Sequence, residues 1–228
     1  RQPNNILGIE YCKAILSQGC AMKPFPIHRE GSYHAEIADQ ENPSATAVRK
    51  LMLEAYNWKP RVPKQCRDVF EDAPLHCLAA GERAVLYRLR TMTDAEFEAL
   101  PYGSEGLWRK FMHACRKEAS LEAIIAATKS KRYTRTRIDR MVMCAFLGIT
   151  KDDLETEIPY TRVLAFSDRG RSLLRQAKKE LSFVNTGERT DHSHWQLEQR
   201  CGSLYGLFCI PAPEKPGAEA EQRICYTK

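Results

Sequence analysis

Apolar side chains recur every three or four residues over positions 138–149, and this pattern constrains the fold more than any other feature of the chain. Such spacing puts the side chains on one face of an α-helix, where they can pack against a core. The pattern therefore predicts a helix that begins near Tyr133 and is buried along one side. Arg135, Arg137 and Arg140 lie off that side, so we expect them to remain available to a ligand. The apolar positions are Ile138, Met141, Val142, Ala145, Phe146 and Ile149.

Similar spacings, with prolines at 60, 63 and 74 marking connections, predict a mostly helical chain from residue 58 onward. Residues 160–166 alternate like a strand or a buried extended stretch, and residues 168–170 are expected to turn the chain. The first 57 residues have a mixed pattern, with predicted helices at 5–17 and 45–54 around a short extended segment and a polar loop. We therefore predict a mainly α fold: residues 1–57 are the end of an α/β domain, and residues 58–228 form a larger helical domain. Its predicted helices cover 67–72, 76–91, 94–100, 105–118, 121–128, the segment from 133, 171–181 and 195–209.

Positive charge is concentrated in one part of the chain. Residues 109–140 contain ten basic and three acidic side chains, a balance of +7, while the whole chain carries +6. Such clustering favours a polyanionic partner, although a solvated helix face is the alternative. The most basic run spans residues 131–137, where guanidinium and ammonium groups suit a phosphate backbone. Tyr133, within this run, either stacks on a base or anchors the core.

Composition narrows the class of protein. Hydrophobic residues make up 43% of the chain, yet no apolar stretch approaches the roughly 18 residues of a membrane span. The nine cysteines are scattered and odd in number, which favours free thiols in a reducing cytoplasm over disulfides or a zinc site. His192 and His194, near Cys201, lack a second ligand pair, and His28, His76 and His113 are isolated. We predict no metal site.

The helix predicted at 45–54 begins directly after Ser44. A helix N-terminus offers free N–H groups and the positive end of the helix dipole, so it can hold a phosphate group. Arg49 and Lys50 follow one turn later. Alternatively, Ser44 is an ordinary helix N-cap. Asn4 and Asn5 stand at the predicted start of the first helix, where their amide side chains either bind a ligand or only cap that helix.

Three segments resemble those of one enzyme family. They are Gln-Pro-Asn-Asn-Ile-Leu-Gly-Ile-Glu-Tyr (residues 2–11), Ser-Ala-Thr-Ala-Val-Arg (residues 44–49) and Ser-Lys-Arg-Tyr-Thr-Arg-Thr-Arg (residues 130–137). Together they resemble successive signatures of the bacterial tRNA(Met) cytidine acetate ligases, whose catalytic domain is similar to nucleotidyltransferases. The resemblance implies an ATP-binding set and a tRNA-binding set. The first set is Asn4, Asn5, Arg29, Glu30, Ser44, Thr46 and Arg49, and the second is Lys131, Arg132, Tyr133, Arg135, Arg137 and Arg140.

The resemblance also implies a reaction. Acetate is activated by ATP to acetyl-adenylate, with magnesium on the phosphates, and the acetyl group passes to N4 of the wobble cytidine of elongator tRNA(Met). The implied partners are this tRNA and acetate in the cytoplasm, with no membrane and no DNA. No magnesium ligand can be named.

Two departures from the family pattern affect these expectations. Ser32 stands where a second glycine is common, and the His-x-x-Gly-His catalytic element occurs nowhere in the sequence. We therefore name no catalytic residue and expect this chain to be the later portion of a longer enzyme, inactive alone. Two other functions remain open: an adenylyltransferase acting on a small metabolite, and a non-catalytic RNA-binding helical module.

Overall fold

The structure, a computed structural model, describes residues 3–27, 43–157, 160–179, 181–185, 192–217, 221 and 223–227. The chain divides into two compact units, Arg1–Ala73 and Pro74–Lys228. The division predicted from sequence, after residue 57, separates an expected ATP-binding part from an expected tRNA-binding part, and it stays a prediction.

The described part of the first unit contains three α-helices: α1 (Pro3–Ser17), α2 (Ala45–Leu53) and α3 (Arg67–Asp72). They confirm the helices predicted there. Proline at the first position of α1 does not weaken the helix, because a backbone N–H at that position would have no acceptor within the helix. Between α2 and α3 the chain forms two short 3-10 helices, Lys59–Arg61 and Lys64–Cys66. The described residues of this unit do not test whether it is the end of an α/β domain, so that assignment stays a prediction.

The described residues of the second unit form eight further α-helices. They are α4 (Leu78–Thr91), α5 (Asp94–Glu98), α6 (Leu107–Lys117), α7 (Leu121–Thr128), α8 (Arg135–Leu147), α9 (Lys151–Glu155), α10 (Asp168–Ala177) and α11 (Ser193–Tyr205). The prediction of a mostly helical chain is confirmed. Several ends differ by a few residues, which is the usual uncertainty where helix ends fray.

A single large core holds α4 to α8 together. The predicted apolar side of α8 is buried from Ile138 to Phe146, while Ile149 is only partly buried. Helix α6 supplies Phe111, whose ring meets that of Phe97 edge-on at 5.9 Å between centroids. The other fully buried side chains of this core include Val85, Leu89, Leu107, Ile124 and Met141.

Six short strands, in three pairs, lie within the part of the second unit that the structure describes. Strand β1 (Leu75–His76) pairs antiparallel with β5 (Cys209–Ile210); β2 (Thr161–Val163) pairs with β4 (Phe183–Asn185), and β3 (Ala165–Ser167) with β6 (Cys225–Thr227), both parallel. The extended conformation predicted at 160–166 is confirmed, but it is divided into two strands with different partners, so a single strand there was wrong. The helix predicted at 76–91 begins at Leu78, because His76 belongs to β1.

The turn predicted at residues 168–170 was also wrong, since these residues form the first turn of α10. The Ser167 hydroxyl caps this turn by accepting a hydrogen bond from the Gly170 N–H at 3.3 Å. Asp168 then stands in the first turn, where a carboxylate is favoured by the helix dipole.

All nine cysteines are free thiols, as predicted. Burial raises the pKa of the Cys115 thiol to about 12, so it stays protonated and unreactive at neutral pH. No described helix is both long enough and apolar enough to cross a lipid bilayer.

Candidate nucleotide and nucleic-acid sites

Ser44 is the N-cap of α2. Its hydroxyl accepts a hydrogen bond from the Ala47 N–H at 3.0 Å, and the residue is 1% exposed. The capping interpretation of Ser44 is therefore correct, and a role in phosphate binding would be additional to it. Thr46 and Arg49 are three residues apart on α2 and both are exposed. That spacing puts them on one side of the helix.

The other predicted ATP-binding residues are described less fully. Asn4 and Asn5 lie in the first turn of α1, and Asn5 is exposed. The side chain of Asn4 lies outside the described part, and so do Arg29 and Glu30. Whether these residues share a site with Ser44, Thr46 and Arg49 stays a prediction.

The predicted tRNA-binding residues surround a turn that the sequence reasoning did not single out. This turn, residues 101–106, contains two non-glycine residues in the left-handed region, Tyr102 (φ 63°) and Glu105 (φ 62°). Such backbone costs about 1 to 2 kcal/mol per residue and persists where neighbouring groups hold it. The sequence Pro-Tyr-Gly-Ser-Glu-Gly carried a turn signal, but nothing in it showed which groups hold the turn.

Side chains of the basic run hold this turn. The Tyr133 hydroxyl donates to the Glu105 carbonyl oxygen at 2.8 Å. Arg137 donates from Nε to the Tyr102 carbonyl oxygen at 2.8 Å and from Nη2 to the Ser104 hydroxyl at 2.8 Å. Tyr133 is partly buried against the core, which favours the anchoring interpretation of this residue over base stacking.

Cationic groups cover the same aromatic side chains. The Arg132 and Arg137 guanidinium carbons lie 5.8 Å and 5.5 Å from the centroid of the Tyr133 ring. The Arg140 guanidinium lies 5.8 Å from the centroid of the Tyr102 ring. We call this set the basic surface. It consists of Lys131, Arg132, Tyr133, Arg137, Arg140 and the ring of Tyr102.

One carboxylate partly neutralises the basic surface. Glu105 pairs with Arg132 at 3.0 Å and lies 3.9 Å from Arg137. The Arg132 hydrogen bond, reinforced by its charge, holds the pKa of the Glu105 carboxyl below its usual range. Glu105 therefore remains ionised at neutral pH. Lys131 is exposed and makes no ion pair with any described residue.

Arg135 points to a different neighbour from the rest of its set. It binds Glu122 through two hydrogen bonds, at 2.5 Å and 2.6 Å, and lies 3.8 Å from Asp139. Hydrogen bonding to Arg135 lowers the pKa of the Glu122 carboxyl. The expectation that all three arginines of α8 remain available to a ligand was therefore too broad, because both Arg135 and Arg137 are engaged within the chain.

The chain matches one described family over most of its length. The family model HIGH Nucleotidyl Transferase matches residues 1–220. A tRNA(Met) cytidine acetate ligase of Bacillus cereus (strain Q1) is 32% identical over 222 residues, which cover 90% of this chain and 56% of the relative. A protein of the same name from Clostridium novyi (strain NT) is 33% identical over 80% of this chain and 48% of the relative.

Solved structures show the same fold. Thermotoga maritima TmcAL in its apo form superimposes with a TM-score of 0.78 at 25% identity, over 99% of this chain and 61% of that protein. The same protein bound with alpha-thio ATP gives a TM-score of 0.76 at 24% identity.

The chain thus spans about half the length of the curated relatives it matches. The family match extends across both units of the structure. The chain belongs to the HIGH nucleotidyl transferase family.

Proposed function

We propose that the protein is an ATP-dependent ligase that acetylates N4 of the wobble cytidine of elongator tRNA(Met). In this proposal the basic surface binds the tRNA backbone, and the exposed side of α2 takes part in binding ATP. The similarity to proteins named tRNA(Met) cytidine acetate ligase supports the reaction. The observation that carries the proposal for this chain is the basic surface itself.

The charge and the restrained side chains of the basic surface suit an RNA backbone. Four cations against the single carboxylate of Glu105 leave three net positive charges on the basic surface. Arginines held by neighbouring groups lose less side-chain freedom when they meet a phosphate group. Tyr102 is 41% exposed, so its ring is a better candidate for stacking on an unpaired base than that of Tyr133.

Adenylation requires that charge on the departing pyrophosphate be stabilised. An acetate oxygen attacks the α-phosphorus of ATP and pyrophosphate leaves. The cytidine amine then attacks the acetyl carbonyl of the resulting acetyl-adenylate, AMP leaves, and the amine loses a proton to solvent. The N-terminus of α2 offers N–H groups and a positive dipole, and Arg49 adds a guanidinium beside Thr46. Magnesium would neutralise phosphate charge. We assign it no ligand among the described residues.

Salt-dependent tRNA binding tests the proposal. Each phosphate contact contributes about 0.7 to 0.9 to the slope of log affinity against log salt concentration. The variants Lys131→Gln and Arg132→Gln should each lower that slope by about one contact's worth, because both side chains are exposed. Arg116→Gln is the matched control, because it removes the same charge from the 109–140 segment at a site on α6 outside the basic surface.

Adenylate formation separates the alternatives. If the proposed reaction is correct, Arg49→Gln lowers acetate-dependent pyrophosphate release by the intact protein, while the basic-surface variants spare that step. A small-metabolite adenylyltransferase would be indicated if the basic-surface variants left tRNA affinity unchanged. A non-catalytic RNA-binding module would be indicated if the intact protein bound tRNA, showed no acetate-dependent pyrophosphate release, and kept the same tRNA affinity after Arg49→Gln.

A further inference from the structure

Three side chains of metal-ligand type converge where β1 pairs with β5. His76 stands directly opposite Cys209 in this pairing, so their side chains emerge on the same side. Glu214 reaches the same place, with its Oε2 atom 3.3 Å from the His76 Nε2 atom. The potential ligand atoms of the three residues all lie within 4.8 Å of one another.

The surroundings hold these side chains in position. The His76 ring stacks on the Tyr205 ring, with centroids 4.5 Å apart and planes 11° from parallel. The Glu214 N–H donates to the Gly206 carbonyl oxygen at 3.0 Å. Glycine at 206 permits this approach, since a Cβ there would lie only 3.2 Å from the Glu214 Cβ. The backbone thus presents Glu214 to the histidine.

Burial makes the set unlike a chance group of surface side chains. Cys209 is 7% exposed, and the His76 side chain is 15% exposed. The Glu214 side chain is 34% exposed, so one side of the group faces solvent. A metal ion therefore has an entry path from solvent, and the same solvent can supply a water ligand.

We propose that His76, Cys209 and Glu214 bind one Zn²⁺ ion. Thiolate, imidazole and carboxylate are all zinc ligands, at about 2.0 to 2.3 Å from the metal. Tetrahedral coordination at those lengths needs donor atoms about 3.3 to 3.8 Å apart. The His76 Nε2 and Glu214 Oε2 atoms, 3.3 Å apart, already have that spacing. The Cys209 Sγ atom lies within 4.8 Å of both and reaches it with a small side-chain movement. On binding, the thiol releases its proton to solvent.

The chemistry of this set favours zinc over magnesium or calcium. Those two cations prefer oxygen ligands, whereas a thiolate with an imidazole suits zinc. The metal would tie β1, at the start of the second unit, to a residue 138 positions later in the chain. This role is independent of the proposed reaction with ATP and tRNA.

The test is zinc binding by the purified chain after removal of metal with a chelator. We expect one tightly bound Zn²⁺ per chain by metal analysis, and a thiolate-to-metal absorption band when Co²⁺ is bound instead. Cys209→Ser and Glu214→Gln should each weaken zinc binding by about 10- to 100-fold or more. Changes of that size are already typical of residues that hydrogen-bond to a metal ligand without binding the metal themselves. Circular dichroism verifies that each variant is folded.

Cys225→Ser is the matched control, because this thiol is exposed and lies on β6, outside the group. It should leave the zinc stoichiometry and affinity unchanged. The proposal is overturned if the wild-type chain binds no zinc stoichiometrically. It is equally overturned if folded Cys209→Ser and Glu214→Gln both retain wild-type affinity, in which case His76 and Glu214 form only an ion pair.

Discussion

The change Arg137→Lys separates the structural role of Arg137 from its positive charge. Arginine at this position donates in two directions at once, to the Tyr102 carbonyl oxygen and to the Ser104 hydroxyl, both at 2.8 Å. A lysine keeps the charge but has a single ammonium at the end of its chain, so it cannot reproduce the planar fork. We expect it to keep at most one of these hydrogen bonds.

The size of the effect follows from the contacts. A hydrogen bond from a charged group contributes about 1.5 to 3 kcal/mol when shielded from water. The Arg137 side chain is 25% exposed, which reduces that value. We therefore expect Arg137→Lys to lower the free energy of unfolding by about 1 to 2 kcal/mol. In a chain of this size the midpoint of thermal unfolding should fall by about 3 to 6 °C.

Urea unfolding followed by circular dichroism measures this loss. Arg140→Lys is the matched control: it makes the same exchange one turn later, where the guanidinium lies over the Tyr102 ring and donates no hydrogen bond to a described group. Its cost should stay within about 0.5 kcal/mol. A double-mutant cycle of Arg137→Lys with Ser104→Ala should give a coupling energy of about 0.5 to 1 kcal/mol. A coupling energy of zero, or an Arg137→Lys variant as stable as the wild type, would show that these hydrogen bonds do not hold the turn.

Two further predictions concern the helical core and its response to acid. Gly81→Ala should cost about 1 to 3 kcal/mol, because the new Cβ would lie 2.3 Å from the buried Phe208 ring; Gly8→Ala, with nothing within 4 Å, should be neutral or stabilising in the same urea assay. The hydrogen bond from the Thr93 backbone N–H, followed by that from the Arg88 side chain, lowers the pKa of the Glu96 carboxyl from 4.5 to about 2. A carboxylate with a depressed pKa stabilises the fold above its unfolded value, and that contribution is lost as pH falls through the folded value. Glu96→Gln should therefore lower the free energy of unfolding by about 1 kcal/mol at pH 7, a value that allows for the exposure of this side chain. Between about pH 5 and pH 2, the free energy of unfolding of this variant should fall less than that of the wild type. An unchanged acid response would contradict the assignment.

The helices could be predicted from sequence because their signals are local. The spacing of Ile138, Met141 and Val142 fixes which side of α8 is buried, whatever lies against it. The same spacing could not show that Arg135 turns to Glu122 while Arg137 turns to Ser104. Those partners come from other helices and turns, and the chain brings them together only on folding.

The short strands were harder to predict for a related reason. A strand of two or three residues carries too little alternation to distinguish it from a turn, and its identity depends on a partner elsewhere. The start of α10 was missed because Asp168, Arg169 and Gly170 are common in turns as well as in first helical turns. The hydroxyl of Ser167, which caps the helix, decides between the two.

The sequence alone determined the helical character of the chain, the positive segment and the family resemblance, because each of these depends on residues close together in the chain. Only the tertiary structure decided that Tyr133 anchors a turn and that Arg137 reaches a residue 33 positions earlier. It also decided that His76 meets Cys209 across two paired strands. Spacing along a helix or strand is set by backbone geometry, whereas contacts between distant residues are set by how the whole core packs.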